Sequence, residues 1–127
     1  MKVFRFMSQE EFDKLQNGET LINTDNHKDL NTNSVGFCFM DCEDYSPESA
    51  YEFLDGIVSE DIVVQFEVDE SLLTKSGGMY ADPDGEWFLS RMWVDEYCCT
   101  SYNNKDFKLL SYAKPDWSGC FDWTEVA

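Results

Sequence analysis

The chain has 127 residues, which fits a single domain, residues 1–127, with room for a substantial core. Hydrophobic residues make up 43% and aromatics 16%, too rich for intrinsic disorder even at a formal net charge of -17, because disorder needs low hydrophobicity as well as high charge. With 26 acids against 9 bases spread along the sequence, the chain's field repels nucleic acid and anionic membrane and favours encounter with basic surfaces.

In residues 2–7, Val3, Arg5 and Met7 alternate with Phe4 and Phe6, the period-two pattern of a strand. Arg5 then shares a face with apolar neighbours. It needs acceptors there, since an unpaired buried charge costs several kcal/mol, or else an edge position from which it reaches water. Ser8-Gln9-Glu10-Glu11 fits a capping box, in which Ser8 accepts from the Glu11 amide and the Glu11 side chain reaches back. A short helix follows, with Phe12 and Leu15 on one face and Gly18 as its left-handed stop. Leu21 and Ile22 are expected to return to the core. Residues 23–34 are polar and turn-forming, and the loop they predict holds the single histidine, His27, so no histidine pair is available for a metal.

Residues 35–40, VGFCFM, read as a buried strand. Ser46 and Pro47 open a second helix, Ser46 as N-cap and Pro47 at the first helical position, where its missing amide is no loss. Ala50 with Phe53 and Tyr51 with Leu54 form its apolar stripe, and Gly56 closes it. Residues 62–68 are the clearest strand, expected near the middle of a sheet. Turn signals at 76–78 and 82–85 flank a short segment at 79–81. Residues 86–94 fit a helical or a strand face, with aromatic content favouring strand. Residues 93–112 read as a strand ending in Glu96-Tyr97-Cys98, a polar turn, and a second strand at 107–112. In the tail, 114–127, Trp117, Phe121 and Trp123 predict docking against the domain, since leaving such rings in water forfeits roughly 1.5–3 kcal/mol apiece.

Five cysteines are an odd number, and the start MKVFRFMSQEE holds no apolar stretch of signal-peptide length, so reduced thiols in a cytoplasmic protein are expected. No run approaches the ~20 apolar residues of a membrane span. Asp82-x-Asp84-Gly85-Glu86 lacks the remaining ligands of a calcium loop and reads as a turn. Cys38, Cys42, Cys98 and Cys99 lack the spacing of a zinc ribbon, and no metal is expected. Glycine-rich phosphate loops, nucleophile elbows and zinc-protease helices are absent from the sequence. The fold class predicted is α+β: a mixed, mostly antiparallel sheet of roughly five to seven strands with two short helices.

An arginine on the first strand, a serine ahead of a middle strand and a glutamate on a late strand remain. This order resembles the ADP-ribosyltransferase fold in its arginine-serine-glutamate version. The resemblance rests on Val3-Phe4-Arg5-Phe6-Met7-Ser8 before a capped helix, on Thr32-x-Ser34 before Gly36-Phe37-Cys38-Phe39, on the helix with Ala50 leading to the 62–68 strand, and on Glu96 ahead of Phe107-Lys108-Leu109-Leu110. It implies NAD as cofactor, with Arg5 and Ser34 in the NAD pocket and Glu96 as catalytic residue. Such a carboxylate would hold the ribose 2-hydroxyl as the nicotinamide bond breaks through an oxocarbenium-like state. Val94 stands where arginine-modifying members carry a second acid, so the acceptor stays open, as does a scaffold retained without catalysis.

A second expectation follows from charge and size. A small, acidic, aromatic-rich domain can cover the basic groove of a nucleic-acid-binding partner, as phage-encoded inhibitors of restriction or CRISPR nucleases do, without itself touching nucleic acid. Solubility alone would also account for high acidity.

Overall fold

The computed structural model describes residues 1–24, 36–54, 59–76 and 96–126, and of Phe53, Leu54, Ser76 and Glu96 the backbone alone. In chain order the elements are β1 (Lys2–Met7), α1 (Gln9–Gln16), β2 (Leu21–Ile22), β3 (Phe37–Asp41), α2 (Pro47–Leu54), β4 (Ile62–Glu67), a 3-10 turn (Glu70–Leu72), β5 (Thr74–Ser76), β6 (Glu96–Cys99), β7 (Ser101–Tyr102), β8 (Lys108–Ala113) and β9 (Thr124–Glu125). Seven strands form one sheet in the order β5-β6-β3-β1-β4-β8-β9, and β2 pairs with β7 separately. Every pairing among the described residues is antiparallel. The protein is therefore α+β, with two helices and a mostly antiparallel sheet.

β1 lies at the centre, which explains why it is apolar on both faces. Val3 and Met7 join Phe39, Val64 and Phe66 in one cluster, covered by Phe12 and Leu15 of α1 and by Tyr102 and Phe107. Phe4 and Phe6 join Met40 and Val63 in the other, covered by Ala50 of α2 and by Phe121. The register of Val3 against Phe66 and Phe4 against Gln65 keeps the two sets apart, because successive side chains alternate across a sheet. Arg5, opposite Val64, is thus at the middle of the sheet and not at an edge. β4 lies beside β1, inside the sheet as its pattern predicts.

α1 starts and stops as its sequence dictates. Ser8 Oγ accepts from the Glu11 amide at 3.2 Å. At the other end Gly18, at φ 82, gives its N–H to Leu15 and Glu19 gives its N–H to Lys14, the paired bonds of a Schellman stop. The reciprocal half of the capping box is replaced, because the Glu11 carboxylate is drawn to Arg5 instead. Ser8→Ala should lower stability by about 1 kcal/mol in urea unfolding; an unchanged midpoint would mean that packing alone holds the helix start. In α2, Ser46 Oγ accepts from the Ser49 amide at 3.2 Å, as an N-cap ahead of Pro47 should.

Two expectations are corrected. Ile22 is 75% exposed, because β2 is only two residues long and its alternate position faces solvent, while Leu21 packs on the core. Trp117 is 65% exposed, with its ring centroid 4.6 Å from that of Tyr51, whereas Phe121 is buried and Trp123 gives its indole N–H to Glu48 at 2.9 Å. The tail docks through β9 and these two rings. The expected features at His27, Ser34, Gly56, 79–81 and 82–94 lie outside the described residues.

Candidate functional site

The centre of β1 faces α1, and there Arg5 meets Glu11 one helical turn into α1. Arg5 Nε and Nη2 donate to the two carboxylate oxygens of Glu11 at 2.7 and 2.9 Å, a planar fork on a planar acceptor. Nη1 donates to the Cys38 carbonyl of β3 at 3.1 Å. The guanidinium also lies over the rings of Phe37 and Phe39, at 5.1 and 5.8 Å from their centroids. From the far end of the sequence, the Tyr102 hydroxyl donates to Glu11 Oε2 at 2.5 Å.

This arrangement is a charge pair sealed by aromatic rings. The Arg5 and Glu11 side chains are 18% and 15% exposed, and Tyr102 is 2% exposed. Burial opposes both charges, but mutual hydrogen bonds and attraction outweigh it, so Arg5 is held above its ordinary pKa and Glu11 below the usual carboxylate range. Burial, with the Glu11 charge beside it, pushes the Tyr102 phenol well up. The group is built to stay ionised and fixed, which suits it to hold α1, β1, β3 and β7 together.

Of the three site residues expected from sequence, Arg5 is in this cluster with its guanidinium committed to Glu11 and Cys38. Ser34 lies outside the described residues. Glu96 opens β6, its backbone paired with Ser76 of β5, and β3 separates β6 from β1; its side chain is outside the described set. Glu11 and Tyr102 were not expected as Arg5's partners from the sequence. A usable signal existed for Glu11, since an arginine on an apolar strand face demands an acid and the capping box supplies one close by. Tyr102 carried none, being 91 positions from Glu11.

A second feature is spread over the surface. Among the described residues 14 acids are exposed, against 6 bases. Half-buried Asp41 ends β3, Asp44 lies in the turn after it and Glu70 in the 3-10 turn after β4, and the Tyr97 phenol is pushed up by burial and by these three charges. Lys75, 5.8 Å from the Tyr97 ring centroid, is the base that counters them. An open groove of about 910 Å³ lies elsewhere, lined in part by Lys2, Gln65, Lys108, Ser111 and Glu125, and shares no residue with the Arg5 cluster.

No group of three or more His, Cys, Asp or Glu side chains among the described residues is arranged to hold a metal ion. No described helix is long and apolar enough to cross a membrane. Comparison with protein-family models, with curated proteins and with solved structures finds no match to this chain.

Proposed function

We propose that this protein works by binding, offering exposed carboxylates to the basic nucleic-acid groove of a partner protein and so excluding nucleic acid from it. The observation that carries this function is the surplus of exposed acids, 14 against 6 bases among the described residues, on a rigid α+β frame. An apolar core on both faces of the sheet fixes the elements that carry them, so their backbone needs no further ordering at binding. Asp41, Asp44 and Glu70 all act on Tyr97, so their negative charge is grouped on one part of the fold, which suits a basic surface.

The test is capture of the partner on the immobilised full chain across a salt series. Recovery should fall by roughly a hundredfold as salt rises from ~50 to ~200 mM, and added duplex DNA should displace what is bound. Asp41→Lys with Asp44→Lys and Glu70→Lys should weaken binding at least tenfold. A partner that stays bound in excess DNA, or that ignores salt, would count against the proposal.

As a second function we propose an NAD site of the ADP-ribosyltransferase type, either transferring ADP-ribose or retaining the scaffold without catalysis. Its support is the order along the chain of Arg5 on β1, Ser34 ahead of β3 and Glu96 on β6, the order that resembles that fold. In this reading Ser34 orients a neighbouring group, Glu96 holds the ribose, and Arg5 must share its donors between Glu11 and the cofactor. Millimolar NAD should then raise the melting temperature, and Glu96→Gln should abolish transfer with the fold intact. No thermal shift removes this function and leaves the acidic-surface one standing.

A further inference from the structure

Cys38 of β3 and Cys98 of β6 are direct cross-strand neighbours, one on each side of an antiparallel ladder. Their Sγ atoms are 3.5 Å apart, and no disulfide joins any of the cysteines. Phe37 opposite Cys99 and Phe39 opposite Tyr97 hold the register on either side, and Phe39, Tyr97 and Cys98 are buried. Directly opposed residues of an antiparallel pair have Cα atoms ~4.5–5.5 Å apart, inside the ~4.4–6.8 Å that a disulfide accepts. The backbone is therefore already where a bridge needs it, and side-chain rotation about the Cα–Cβ bonds is the remaining motion.

We infer that Cys38 and Cys98 form a dithiol pair that closes to a cross-strand disulfide when the protein meets a low-molecular-weight disulfide oxidant. Cys38 is half-buried and Cys98 buried, so Cys38 is the one that meets the oxidant first. Its thiolate attacks one sulfur of the oxidant, releasing one thiol and leaving a mixed disulfide on Cys38. Cys98 then attacks the Cys38 sulfur and expels the second thiol. The two cysteines lose two protons and two electrons, and the oxidant takes up both to become two thiols.

The other cysteines are poor competitors. Cys99 follows Cys98 on the strand and so points to the opposite face, and burial pushes its thiol up to about 11. Burial likewise pushes Cys42 up to about 11, which leaves little thiolate at neutral pH. Cys120 is exposed in the tail and reacts alone.

The bridge would tie β6, and through it β5, to β3 in the interior of the sheet. Because it spans 60 positions of sequence, it constrains a long loop of the unfolded chain, the condition under which a disulfide stabilises most.

The experiment treats the full chain carrying Cys120→Ser with oxidised glutathione, blocks remaining thiols, and maps linked peptides by mass without reduction. The expected result is a peptide pair joined through Cys38 and Cys98 with the loss of two hydrogens, a melting temperature raised by roughly 10 °C, and reversal of both by dithiothreitol. Cys38→Ala or Cys98→Ala should each remove the link and the shift. A link between any other two cysteines, or glutathione that stays on Cys38 without closing, would overturn the inference. The mapping on the Cys120→Ser chain decides this even if the alanine variants fail to fold.

Discussion

Glu11→Ala should cost about 3 kcal/mol of folding stability, far more than the loss of an exposed ion pair, because it leaves the Arg5 guanidinium largely buried without its counter-ion. The acid also holds Tyr102, so that hydroxyl loses its acceptor as well. Tyr102→Phe should cost less, about 1.5 kcal/mol, since the ring keeps its place among Phe37, Phe39, Phe66 and Phe107. Arg5→Met combined with Glu11→Leu should recover most of the loss, because an apolar pair of similar volume removes the unpaired charge. Urea unfolding of the four proteins checks all of this, and a Glu11→Ala cost below about 1 kcal/mol would mean that water reaches Arg5 freely.

The same pair sets an acid limit. Glu11 is held below its unfolded value, so its contribution is fully present above about pH 4.3 and is lost as pH falls through the folded value. Wild type should therefore lose stability in that window more steeply than Glu11→Ala. Tyr102 acts at the other end. Its phenol is raised above the ordinary value near 10, so the stability it contributes is present below that pH and is lost as pH climbs towards the folded value.

Local signals carried much of the fold. The alternation in residues 2–7 and 62–68 gave β1 and β4, and Ser8, Gly18 and Ser46-Pro47 marked helix ends that the structure keeps. What failed to show was everything set by pairing at a distance. β2 and β7 have only two residues each and no pattern of their own, and they exist because Asn23 gives its amide to Thr100 and Leu21 meets Tyr102 across the fold. Arg5 was marked as a residue in need of acceptors, but which acid answered it depended on α1 folding back over the sheet. A capping box predicts that Glu11 turns towards Ser8, and a fork of two bonds from the Arg5 cation outweighs one bond from an uncharged backbone amide. The acidic surface, by contrast, was legible from composition alone, while its grouping near Tyr97 needed the strand order.

Gly36→Ala should be the most damaging single-methyl change in the described chain, lowering the melting temperature by roughly 10–15 °C, or about 3 kcal/mol. Two effects coincide at the entry to β3. Gly36 sits at φ 74, where an L side chain is strained, and a Cβ there would lie 2.3 Å from the Cys99 carbonyl oxygen and 2.6 Å from that of Asn23. Both obstacles are backbone, held by the Phe37–Cys99 pairing and by the bond from the Asn23 amide to the Thr100 carbonyl at 2.8 Å, so no rotamer change relieves them. Gly18 supplies the control. It has a similar φ of 82 but nothing within 4 Å of its would-be Cβ, so Gly18→Ala bears the strain alone, about 1 kcal/mol. The gap between the two variants measures how tightly β3, β6 and the β2–β7 pair close on one another at Gly36, and equal losses would show that this junction can open without cost.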